Sequence, residues 1–232
     1  MVSEEELKRQ KDLSADYFMF ISQEISTSLN GIMGALNLIK NHEHSASMKD
    51  LVESLDNSVA RLEKFTFKVM LSNQLNLNEY KLQWNEVSLK DLIHYSILEI
   101  NDISEKNNIK VNTEKLSGNI TLKADEDLIF KAFNYILANS IKYTPKNGTI
   151  EIKVKTSNDH ITCTISDSGP GFSEEAILSL FRPFHYYENA NPNKGISLYL
   201  VKQIMDLHHG TIHIFNKQEG GACVELVFKR TN

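Results

Sequence analysis

An α+β fold is predicted: a helical hairpin followed by a mixed sheet with helices packed on one face. Three observations predict it. The first third of the 232 residues holds apolar side chains at steps of three and four and contains no proline. The remainder alternates β-branched runs with helical stretches. An Asn-rich stretch at 73–78 separates the two, placing one domain at 1–76 and a second at 77–232.

In chain order, Ile21, Ile25, Leu29, Ile32, Leu36 and Ile39 form the first apolar stripe. The polar stretch 41–47 suits a turn. Leu51, Leu55, Val59, Leu62, Phe65 and Val69 form a second stripe. One hairpin covers only half of such a seam, so pairing with a second copy into a four-helix bundle is expected. Residues 87–106 read as a helix opened by Ser88, then 109–113 and 120–123 as short strands. Residues 125–142 read as a helix capped by Asp125. Alternation over 149–156 and 160–166 around Ser157-Asn158-Asp159 gives a hairpin. A helix over 195–208 ends at Gly210, and 211–215 with 222–228 close a second hairpin around Gly220-Gly221.

Composition narrows the function classes. Hydrophobic residues make up 41% and charged residues 24%, as in a globular chain, and no run is long and apolar enough to span a bilayer. A net charge of -5 without a basic tract argues against nucleic-acid binding. Cys163 and Cys223 lie in apolar strands and read as buried thiols of a reducing compartment. The charged, helix-forming start reads as a cut inside a longer helix rather than a signal peptide, which leaves room for a sensor or membrane part upstream. His208 and His209 are adjacent, diverge on a helix and lack a third ligand, so metal binding there is disfavoured.

Three segments carry binding chemistry. Asn139 to Pro145 ends a helix with an amide oxygen suited to a hard cation and with Lys142, which suits phosphate. Asp167-Ser168-Gly169-Pro170-Gly171 follows a strand; its carboxylate can accept from an exocyclic amine, and its glycines let the backbone approach a planar ligand. Phe181-Arg182-Pro183-Phe184 precedes a polar stretch and Gly195, which opens a helix whose N–H groups suit phosphate. Each segment alone is also explained by ordinary turns and helix ends.

Their order resembles that of the two-component sensor histidine kinases, whose ATPase domain shares its fold with the Hsp90 chaperones, MutL and type II topoisomerases. The segment 21–32 resembles that family's phospho-acceptor box, usually Ser-His-Glu-Leu-Arg-Thr-Pro-Leu and here Ser22-Gln23-Glu24-Ile25-Ser26-Thr27-Ser28-Leu29. The resemblance implies ATP and Mg²⁺ as cofactors. Asn139 would hold Mg²⁺, with Lys142, Tyr143 and Gly195 near the phosphates. Asp167 would bind the adenine amine, Gly169 and Gly171 would shape the pocket, and Phe181 and Phe184 would anchor a lid. Glu24 would neighbour the acceptor, and Thr27 would orient water in dephosphorylation. A homodimer, a response regulator's receiver domain and another histidine kinase are the implied partners, and the cytoplasm is the implied location.

The central departure is Gln23. An amide nitrogen is not nucleophilic, so phosphorylation at this position is lost, and its place off the apolar stripe predicts exposure. Ser28 replaces the box's proline, Tyr135 the first Asn of the usual pair, and Tyr186 a basic residue. The second glycine box reads Asn193-Lys194-Gly195-Ile196-Ser197-Leu198, with one glycine left. An engineered His-to-Gln change would explain position 23 alone; the other departures favour natural degeneracy. Three roles stand at this stage. One is a pseudokinase scaffold docking through Gln23, Thr27 and Asn30, and a second is a response-regulator phosphatase using Glu24 and Thr27. The third is a working kinase with a changed acceptor; His42, His44 and His94 lack the acidic arrangement needed to replace it. An ATPase-like fold with a chaperone or repair role is disfavoured by the hairpin in front.

Overall fold

The computed structural model describes residues 4–40, 48–77, 79–113, 120–174, 177 and 196–230, with backbone only for 4–20 and 40. The described chain forms two compact units, the hairpin through Asn73 and an α/β unit that runs from Gln74 and resumes at Ser197.

The hairpin pairs α1 (Glu4–Lys40) with α2 (Met48–Asn76). Its seam differs from the expected one. On α1 the buried positions are Glu24, Ser28 and Ala35, with Leu51, Phe65, Leu71 and Ser72 buried on α2 within the hairpin unit. Gly31 lies in the same row: a Cβ there would sit 2.5 Å from Ser58 Oγ, so the missing side chain lets the helices close. Ile25 and Leu29 are 37% and 44% exposed, and Leu36 and Val59 are exposed as well. The physical reason is rotation. With 24, 28, 31 and 35 facing α2, the row 25, 29, 33 and 36 turns outward, and apolar surface is left uncovered.

The second unit opens with β1 (Trp84–Ser88), which pairs antiparallel with β3 (Thr121–Asp125) in a two-stranded sheet. The expected helix over 87–106 is instead β1 followed by α3 (Leu89–Leu98) and α4 (Asn101–Lys106), broken at Glu99–Ile100. Ser88 does cap α3, its hydroxyl accepting from Asp91 N at 3.3 Å.

The main sheet has the order β2-β4-β5-β7-β6, in which β2 (Lys110–Asn112) runs parallel to β4 (Thr149–Thr156). The other pairs, with β5 (His160–Asp167), β6 (Thr211–Asn216) and β7 (Ala222–Lys229), are antiparallel. α5 (Glu126–Tyr143) and α6 (Ser197–Leu207) complete the core. Phe133, Leu137, Leu200, Ile204 and the inward strand residues Ile150, Ile152, Ile165 and Leu226 are fully shielded from solvent. Alternation along β4 and β5 drives this: every second residue is apolar and turns inward. Burying a side chain of this size stabilises by about 1.5–3 kcal/mol. Asn76 accepts hydrogen bonds from Tyr199 Oη at 3.1 Å and Gln203 Nε2 at 2.6 Å, tying α6 to the entry of this unit.

Candidate nucleotide site

β5 ends at Asp167, and the turn after it is built around that carboxylate. Asp167 is buried, and its Oδ1 accepts from Gly169 N at 2.8 Å and from Ala222 N at 3.1 Å. Among the described residues no donor bonds Oδ2. Oδ1 is therefore saturated by backbone, and Oδ2 remains as an acceptor for a ligand N–H. Gly169 lies directly against the end of α5: a Cβ there would stand 2.8 Å from Tyr143 O and 2.9 Å from Asp167 Oδ1. Gly171 has φ +80°, a left-handed conformation that favours glycine.

α5 carries the second part. Its start is locked from three sides. Asp125 Oδ1 accepts from Leu128 N at 3.1 Å as the cap, Oδ2 accepts from Gln83 N at 2.8 Å, and Asp125 N donates to His208 Nε2 at 3.0 Å. His208 Nδ1 lies 2.7 Å from Ile204 O and donates to it, so the ring is neutral. Burial lowers its pKa, consistent with that tautomer, although the Ile204 carbonyl and Asp125 act the other way. His208 is thus a buried joint between α5 and α6.

At the far end of α5, Asn139 is half-buried, and its amide is uncommitted among the described residues. Lys142 Nζ lies 5.1 Å from the centre of the Tyr143 ring. The structure thus brings Tyr143 to Gly169 and places Asn139 and Lys142 within the last turns of the same helix. Tyr135, at the first position of the usual Asn pair, is pushed up to about 12 by burial and by Asp127, and stays a neutral phenol. Phe181, Phe184, Gly195, Tyr186, Asn193, Lys194, His42 and His44 lie outside the described residues. A separate cavity of about 590 Å³ lies at the other end of α5, lined by Tyr80, Leu92, Tyr95, Asp125, Asp127 and Phe130 among others.

In the hairpin, Gln23 is half-buried rather than exposed, because the seam runs through its neighbour Glu24. Glu24 is only 3% exposed, and Arg61 NH2 donates to both of its oxygens, at 3.3 and 3.2 Å. Thr27 Oγ1 donates to Gln23 O at 2.7 Å. Ser28 Oγ and Arg61 Nε are buried without a hydrogen-bond partner among the described residues. Sequence reasoning missed Arg61, Asn216 and Ala222. Arg61 lies 37 positions from Glu24, and Ala222 acts only through its backbone, so neither has a local signal.

Residues 124–232 match the model of the histidine kinase-, DNA gyrase B- and HSP90-like ATPase. The chain is 25% identical over 224 residues to the heme sensor protein HssS of Staphylococcus saprophyticus, and 26% identical over 230 residues to the sensor histidine kinase TmoS of Ectopseudomonas mendocina. The chain is similar to proteins named as histidine kinases over nearly its whole length. It covers 48% of HssS and 23% of TmoS, while those alignments span 97% and 96% of this chain. In fold, the histidine kinase AdeS of Acinetobacter baumannii superposes with a TM-score of 0.75 at 20% identity, covering 90% of this chain and 98% of that one. The histidine kinase ThkA, solved with its response regulator TrrA, superposes with a TM-score of 0.72 at 23% identity, covering 98% of this chain and 66% of that one.

Proposed function

We propose that this chain is a nucleotide-binding histidine kinase core that has lost phosphate acceptance at position 23. In this reading it signals by dimerising and by docking a receiver domain or another histidine kinase. The observation that supports it is the contrast between the Asp167 turn, where backbone N–H groups occupy Oδ1 and leave Oδ2 as an acceptor, and an amide at position 23. The residues fit the cofactors. Asp167 would accept from the adenine amine, Asn139 would offer its amide oxygen to Mg²⁺, and Lys142 would meet phosphate. Bound Mg²⁺-ATP would supply a transferable phosphoryl group. Gln23, whose amide lone pair is delocalised, offers no nucleophile to take it.

Dimerisation is supported by Ile25, Leu29, Met33 and Leu36 on α1 and by Val52, Val59 and Met70 on α2, all exposed on the single hairpin. Docking of a response regulator is supported by the likeness to ThkA, which was solved in complex with the response regulator protein TrrA. A phosphatase role has less support, since Glu24 is withdrawn into an ion pair with Arg61. Among the described residues no helix is long and apolar enough to cross a membrane. We place the chain in the cytoplasm, as the inner part of a sensor.

Calorimetric titration with Mg²⁺-ATP tests the reading, with Asp167→Asn and Asn139→Ala as controls. Saturable binding abolished by both is the expected result. No binding by the native chain at millimolar nucleotide would confine function to the dimer and docking surfaces. Gln23→His, assayed for acid-labile label from γ-labelled ATP, separates a lost acceptor from lost transfer chemistry.

A further inference from the structure

The β6–β7 hairpin reaches the base-recognition turn at both of its ends. At the entry, Ala222 N donates to Asp167 Oδ1. Its neighbour Gly221, at φ +96°, has no side chain because a Cβ would collide with Asp167 O. At the exit, Asn216 Oδ1 accepts from Phe172 N at 2.7 Å, and Asn216 Nδ2 donates to Phe172 O at 2.7 Å. One amide thus holds both backbone groups of a residue 44 positions away. A Cβ on Gly171 would lie 2.6 Å from Asn216 Oδ1, so Asn216 fills the space a side chain at 171 would take. Asn216 and Ala222 face each other across the β6–β7 ladder, which makes the two grips one rigid piece.

We infer that Asn216 is a positioning residue for base recognition: with the Gly221–Ala222 backbone, it fixes the Asp167–Phe172 turn so that Asp167 Oδ2 alone faces the ligand. This rests on the reading of that turn as the nucleotide site. The chemistry selects the residue type. Only a primary amide on a one-carbon stem donates and accepts at once in this plane; Asp lacks the donor, Ser the span, and Ala both. Asn216 acts through Phe172 and Asp167, not on the base. Rotating the Asp167 carboxylate would break two hydrogen bonds, so the turn is held against the loss of its acceptor direction.

The test uses the full chain as native protein, Asn216→Ala and Asn216→Asp. Amide hydrogen exchange is read at Phe172 and Gly169, and affinity is measured for Mg²⁺-ATP, Mg²⁺-GTP and Mg²⁺-triphosphate, which has no base. For Asn216→Ala, exchange at Phe172 should rise about ten-fold, and ATP affinity should fall about five- to ten-fold with triphosphate affinity within about two-fold. Preference for ATP over GTP should shrink in parallel. Asn216→Asp, which keeps the bond to Phe172 N and loses the donor, should fall between. Unchanged exchange at Phe172 would overturn the inference, as would equal losses for ATP and triphosphate, which would mark a general stability effect. If the native chain binds no ATP, the nucleotide reading fails, and exchange at Phe172 alone decides whether Asn216 holds the turn.

Discussion

The hairpin and the α/β unit treat polar side chains in opposite ways. The hairpin buries a carboxylate, two serines and part of a guanidinium between its helices, while Ile25, Leu29 and Met33 face outward. The α/β unit buries a continuous apolar core, and its buried carboxylates, Asp125 and Asp167, are capped by backbone N–H groups. A core of the second kind stands alone. A seam of the first kind gains little from the hydrophobic effect and leaves its apolar surface for a partner. The element expected to meet other molecules is the one whose own packing is unfinished.

Phe133→Ala sharpens the comparison most. This fully buried ring should cost about 3–5 kcal/mol in denaturant unfolding, and a loss near 1 would deny the α/β unit its tight core. Arg61→Ala should cost about 2–3 kcal/mol by leaving Glu24 buried without its partner, toward the low end because Arg61 is 34% exposed. Replacing both by leucine should recover most of that loss, and a double-mutant cycle reads the coupling. Asp125→Ala removes the α5 cap and should cost about 1–2 kcal/mol, followed by thermal unfolding.

Acid should act through His208. Its folded pKa lies below the ordinary 6.5, chiefly from burial, so the unfolded chain takes up the proton first. Its contribution is complete above 6.5 and is lost as pH falls toward the folded value, with a slope of at most about 1.4 kcal/mol per pH unit. His208→Phe should flatten that slope in a pH series of melts. The smallest effect on the fold belongs to Leu29→Asp. It should change the stability of the single chain by under about 0.5 kcal/mol, yet shift sedimentation from dimer to monomer. A large stability loss without a change in mass would place Leu29 in the seam after all.

The Asp125 cap, the Gly220-Gly221 hairpin and the Asp167 turn were legible in the sequence because each depends on neighbours within a few residues. β1 was not. Trp84-Asn85-Glu86 carries no alternation and becomes a strand only by pairing with β3, Trp84 opposite Asp125. The hairpin stripe was read one row off, since apolar spacing alone does not say which face meets α2. Gly31 against Ser58 and Glu24 against Arg61 decide that face, and both contacts join distant positions. Asn216 left no mark for the same reason: its partner is a backbone on another element.

Trp84 is the only tryptophan in the sequence and stands edge-on to His208, ring centres 5.2 Å apart. The indole therefore touches the imidazole that clasps Asp125, at the joint where α5 begins and α6 ends. Its emission is a built-in optical gauge of that joint. Steady-state fluorescence on the unlabelled protein can follow loosening of the joint under acid, heat or nucleotide, without a dye and without altering a residue.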